Sequence, residues 1–127
     1  MKIESFEMAC EKLGLDSEKS LPDVSGMPEK HRGALVATAK LYIITEAARE
    51  GKEPNWNDSD EEKWFPWFDM EMDKNNPSGF RFYVTYCVDS TAHAGSGSRL
   101  CFLSDEDAEY HGRQHVDLYR EMMVIAK

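Results

Sequence analysis

The segment WFPWFDMEMDKNNPSGFRFYVTYCVDSTAHAGSGSRLCFLS, from Trp64 to Ser104, restricts what this chain can fold into more than any other stretch. Within it, Gly79 to Asp89 alternates with a period of two, placing Phe80, Phe82, Val84, Tyr86 and Val88 on one side and Arg81, Tyr83, Thr85, Cys87 and Asp89 on the other. That pattern predicts a strand whose aromatic side fills a core. Ser98 to Leu103 repeats the alternation more briefly, with Leu100 and Phe102 between Arg99 and Cys101, and is expected to pair antiparallel with the first strand. The opening WFPWF is rich in aromatics suited to a sheet, but Pro66 lacks the N–H that a central strand donates, so an edge strand is expected there.

The flanks read as helices laid against that sheet. Ile3, Phe6, Cys10 and Leu13 recur at helical spacing, and Gly14 stands where a left-handed residue ends a helix, which predicts a helix over 4–13. The turn formers of DSEKSLPDVSGMPEKH separate it from a second helix over 29–50, on which Ala34, Ala37, Leu41, Ile44 and Ala48 form one stripe widened by Leu35, Tyr42 and Ile43. Gly51 is expected to stop it. Ser104, followed three residues later by Asp107, marks the N-cap of a third helix over 105–125, with Ala108, His111, His115, Leu118, Met122 and Ile125 on its inner stripe. The fold class expected is α+β, an antiparallel sheet of two or three strands packed by about three helices. At 127 residues this is the size of one domain, 1–127, helical over 1–52 and carrying the sheet and last helix over 64–127.

Charge narrows the functions. Twenty-four acidic against 15 basic residues give a formal charge of −9, with Lys and Arg scattered, so direct binding to nucleic acid or to an anionic membrane is disfavoured. No run reaches the roughly 18 apolar residues of a membrane span. Three widely spaced cysteines, Cys10, Cys87 and Cys101, form neither a disulfide framework nor a CxxC metal knuckle, and MKIESFEMACEKLGL lacks the apolar core of a signal peptide. The expectation is a cytoplasmic protein with reduced thiols.

The residues Trp64, Pro66, Trp67, Gly97, Ser98, Arg99, Leu100, Cys101, Phe102, Ala108 and Tyr110 form a WxPWF element, a GSRLCF run and a helix start with Ala and Tyr. In these the C-terminal half resembles small uncharacterised proteins encoded by phages and prophages of gut bacteria. The resemblance implies a setting, a mobile-element protein made in a bacterial cytoplasm or associated with a virion. It implies no catalytic residues.

Candidate sites are few, and each has a structural counter-reading. His111 and His115, one helical turn apart, have the spacing of a metal-chelating pair, with His93 or a cysteine as further ligand; the alternative is two histidines at the margin of a packed helix. The protease motif fails because Gly112 follows His111. Asp58, Asp60 and Glu62, or Asp69, Glu71 and Asp73, alternate as in a calcium loop but lack its glycine and its distant glutamate. SGFRFYVTY has the aromatic content of an RNA-recognition strand in the wrong register, and GSGS at 95–98 precedes a strand where a phosphate cradle precedes a helix. Trp56, Trp64, Phe65, Trp67 and Phe68 are the most informative group. Five large rings within thirteen residues exceed what one edge strand buries, and such rings are favoured at protein interfaces; the alternative is that they cap the open end of the core over the second helix.

No residue set calls for a cofactor or an enzyme mechanism. The function expected is a non-catalytic binding or accessory protein of a phage or prophage, contacting an unidentified protein partner through Trp56, Trp64, Phe65, Trp67 and Phe68. Two alternatives remain open: an acidic mimic of nucleic acid that binds a host DNA- or RNA-handling protein, and a small metal protein or enzyme using His111 and His115.

Overall fold

A computed structural model describes residues 1–71, 79–92 and 98–125. Four helices pack on and around a two-stranded antiparallel sheet, an α+β arrangement: α1 (Phe6–Leu13), α2 (Glu29–Ala48), β1 (Lys63–Asp69), β2 (Arg81–Val88), α3 (Asp105–Gln114) and α4 (Val116–Met123).

Local chemistry sets the helix limits. The Ser5 hydroxyl accepts from the N–H of Met8, so α1 starts at Phe6 and leaves Ile3 outside it. At its end Gly14, at φ 71°, lets the N–H groups of Gly14 and Leu15 return to Glu11 and Cys10, a paired closure that requires a left-handed residue. The end of α2 differs from the expected glycine stop. Glu50, at φ 56°, takes the left-handed position, and Gly51 makes the longer return bond to Glu46. Along α2 the expected stripe is buried at Ala37, Leu41, Ile44 and Ala48, whereas Leu35 and Tyr42, expected to widen it, face solvent.

The single helix expected over 105–125 is two. Ser104 caps α3 by accepting from the N–H of Asp107, as its position predicts, but at His115 the backbone leaves helical geometry (φ −111°, ψ 28°) and the chain turns. The turn lets α3 lie on the sheet while α4 packs on α2. One core forms where α1 and α2 meet Phe102 and Ala108; a second gathers Leu41, Phe80, Leu100 and Tyr119.

The sheet corrects three expectations. Ser98–Leu100 is a 3-10 turn, and only Phe102 pairs, bonding both ways at 2.7 Å to Trp64 of β1 and not to the strand 80–88. Segment WFPWF therefore lies between β2 and Phe102, not at the sheet's edge. The proline is tolerated because backbone polar groups alternate sides: those of Trp64 point to Phe102, so the nitrogen of Pro66 points the same way, past the single bridge, where no ladder bond is required. The third correction concerns β2. Trp67 pairs with Val84 but Phe68 pairs with Phe82, so Tyr83 is an extra residue, a bulge that reverses the side-chain alternation. Phe82 thereby shares the α3-covered face with Thr85, while Val84 and Tyr86 go to the opposite face. The predicted aromatic inner side is divided between a covered face and an open one.

Candidate functional site

Three constructions stand out once the fold is in place: a histidine clamp, a loop closed on a lysine, and an aromatic face.

The clamp is formed by α3. One turn apart and buried, His111 and His115 reach the same residue, Ile3, in the extended segment before α1. Nε2 of His111 accepts from the N–H of Ile3 at 3.0 Å, and Nδ1 of the same ring donates to the carbonyl oxygen of Asp107 at 2.7 Å. His115 donates from Nε2 to the carbonyl oxygen of Ile3 at 2.8 Å. The two rings thus hold one peptide residue by its donor and its acceptor, as a neighbouring strand does. Phe102 stacks on His111 at 5.0 Å, which completes the apolar surround. Burial, with His115 nearby as a second contribution, lowers the His111 pKa to about 4, and burial lowers that of His115. Both rings, weighed as a metal pair against two packed histidines, therefore serve as backbone partners. With Nδ1 protonated and Nε2 occupied, His111 has no nitrogen left for a metal ion, and among the described residues no three His, Cys, Asp or Glu side chains converge. His93, the suggested further ligand, lies outside the described residues.

The acidic loop before β1 is organised from within. Lys63 is fully buried, and its ammonium donates to the carbonyl oxygens of Asn55 at 2.7 Å and Asp58 at 2.9 Å. The carboxylate of Glu61 lies 3.6 Å away, and the Trp56 ring lies beneath at 5.2 Å. The place that a metal would take in a calcium loop is filled by a covalently attached cation. Of the second acidic run, Asp69 pairs with Arg81 at 3.0 Å and Asp73 lies outside the described residues. The thiols are no better suited to chemistry. Desolvation raises the pKa of Cys10, Cys87 and Cys101, the reverse of what an activated nucleophile needs.

The five expected contact aromatics separate. Phe65 is buried, opposite Tyr86 in the ladder and so on the same sheet face as Trp67, and Phe68, partly buried, packs on the second core, stacking on Phe80 at 4.8 Å and lying 4.7 Å from Tyr119. Trp64 is partly buried against the first core, and Trp56 is partly buried over Lys63. Trp67 is partly buried and stacks face to face on Tyr86, with ring centres 4.0 Å apart, which among the described residues joins it to a surface of half-exposed side chains. Val84 stands directly opposite Trp67 in register, and Tyr83, at the bulge, is 68% exposed and Tyr86 49%. Sequence reasoning placed Val84 and Tyr86 in the core because a bulge leaves no mark in an alternating pattern.

A depression of about 350 Å³ between α2 and the loop before β1 is lined by Tyr42, Glu46, Arg49, Glu53, Trp56 and Arg99. Its carboxylates and guanidiniums balance, and Arg49 is already bonded to the carbonyl oxygens of Lys52 and Cys101. No helix of the described residues is long and apolar enough to cross a membrane. No family model, curated protein or solved structure matches the chain.

Proposed function

We propose that this chain is a non-catalytic protein-binding module that contacts its partner through the open sheet face of Trp67, Val84 and Tyr86. The observation that carries this reading is the Trp67–Tyr86 stack, which stays at the surface after both cores are complete. Stacked rings beside a half-exposed valine offer a partner rigid apolar area at little entropic cost. The formal charge of −9 favours a protein partner over a phosphate backbone. The likeness of WFPWF and GSRLCF to phage and prophage proteins supports a mobile-element accessory protein, made in the bacterial cytoplasm, as the setting.

Replacing Val84 and Tyr86 by lysine tests this reading, since both side chains leave the core untouched. Affinity capture from phage-carrying bacterial cells is expected to recover a specific partner with the wild-type chain and to lose it, by about tenfold or more, with the folded double variant. An unchanged set of captured proteins sinks this face as the contact.

A further inference from the structure

Arg49, the residue after α2, is only 8% exposed and lines the depression between α2 and the loop before β1, which shares no residue with the open sheet face. Its Nε donates to the carbonyl oxygen of Lys52 at 3.0 Å, and Nη1 donates to those of Arg99 at 3.3 Å and Cys101 at 2.9 Å. Nη2 makes no bond among the described residues, yet it is not sealed from solvent. A guanidinium this buried is ordinarily matched by a carboxylate, because its charge is costly to desolvate alone. Here, among the described residues, no ion pair forms, although Glu46 stands three residues earlier on the same helix face and Glu53 lines the same depression. Neutral carbonyl groups hold the cation in place, and its Nη2 donors remain for a ligand.

We propose that this depression binds a free α-amino acid with an apolar side chain. The ligand's carboxylate accepts from Nη2 of Arg49, its ammonium donates to Glu46, and its side chain lies against Tyr42, Ile43 and Trp56. Charge selects the class. Arg49 and Arg99 stand against Glu46 and Glu53 around one space, so an anion meets two carboxylates and a cation meets two guanidiniums, while a zwitterion answers both signs. Spacing selects the α-amino acid among zwitterions. The N–H of Arg49 still bonds to Thr45, so Glu46 and Arg49 keep helical spacing, with Cβ atoms about 5 to 6 Å apart, which suits an ammonium and a carboxylate carried on one carbon. The apolar wall is in place beforehand: the Lys63 ammonium lies 5.2 Å from the Trp56 ring centre, and the Arg99 guanidinium 6.0 Å from that of Tyr42. At about 350 Å³ the space lies at the small end of ligand sites, with room for one amino acid.

Calorimetric and NMR titrations of the wild-type chain with L-leucine, L-phenylalanine, leucinamide and N-acetyl-leucine test the assignment. Leucine or phenylalanine is expected to bind with a Kd of about 1 mM or below and to shift the indole N–H signal of Trp56. Leucinamide lacks the carboxylate and N-acetyl-leucine lacks the ammonium, so each is expected to bind about tenfold more weakly than leucine or worse. Glu46→Gln, checked for folding by circular dichroism, removes the partner of the ammonium and is expected to cut the preference for leucine over N-acetyl-leucine by about fivefold or more. The comparison of the four compounds needs only the wild-type chain and decides the matter even if this variant fails to fold. Binding of neither amino acid at about 10 mM overturns the proposal. So does an amide or acetyl derivative that binds as tightly as leucine, an indole signal of Trp56 that does not respond to bound ligand, or a folded Glu46→Gln chain that keeps the full preference.

Discussion

The N–H of Ile3 and Nε2 of His111, 108 positions apart in the chain, meet at 3.0 Å, and the bond requires the His111 ring to be neutral. Protonating Nε2 replaces an acceptor by a second donor facing a donor. The folded pKa, about 4, is depressed below the ordinary histidine value, so the unfolded chain takes up this proton first as pH falls. Stability contributed by the neutral ring is complete above about pH 6.5 and is lost as pH falls from there towards 4, by about 3 kcal/mol in all. Urea unfolding at pH 7 and pH 4.5 should show a clear loss for the wild type and a smaller one for His111→Gln. Equal losses in the two proteins remove His111 from the acid response.

Gly112 is where α3 touches the sheet. A Cβ there would lie 2.6 Å from Cβ of Pro66 and 2.9 Å from a ring carbon of Phe82, neither of which can step aside cheaply. Gly112→Ala is expected to cost about 2 kcal/mol even though alanine suits a helix better. Gly33, in α2, is the contrasting case, because its Cβ would meet only the flexible carboxylate end of Glu121. Gly33→Ala should gain up to about 1 kcal/mol. Chemical denaturation of the two variants side by side checks the opposite signs.

Glu50 holds a left-handed backbone that glycine adopts freely. Its replacement by glycine relieves about 1 kcal/mol of strain and returns part of it as chain entropy, for a net gain of about 0.5 kcal/mol. Thermal unfolding should show a small rise in Tm, whereas a fall would mean that the Glu50 side chain has a stabilising role.

Lys63→Met preserves side-chain bulk and removes the donor, leaving the carbonyl oxygens of Asn55 and Asp58 with only the long bonds from the N–H groups of Asp58 and Glu61. A loss of about 2 to 3 kcal/mol is expected. The emission of Trp56, which sits over the ammonium, should change in the folded state. Wild-type stability at one temperature should not depend on added calcium, and a calcium-dependent rise would overturn the internal-cation reading.

The sequence displayed those features that are written in one residue type or one short period. The Gly14 closure, the Ser104 cap, the buried stripe of α2 and the α+β class all come from local rules and hold in the structure. What it hid depends on partners far along the chain. The bulge at Tyr83 moved Val84 and Tyr86 from the expected core to the surface, and pairing of Trp64 with Phe102 moved Pro66 inward. The spacing of His111 and His115 allowed a metal pair beside the favoured reading of two packed histidines, and it could not name their partner, Ile3, because that residue is far along the chain. Of the expected contact aromatics, Phe65 and Phe68 proved structural, and the face that replaced them was carried by residues assigned to the scaffold.

The clamp on Ile3 also sets an order of events during synthesis. At about 5 to 20 residues per second, Ile3 is made on the order of ten seconds before His111 and His115, so the segment ahead of α1 waits for most of the chain before its backbone partners exist. Its docking is then a late, checkable mark of completed folding: chains stalled before residue 111 should expose residues 1–5 to protease, and released chains should protect them.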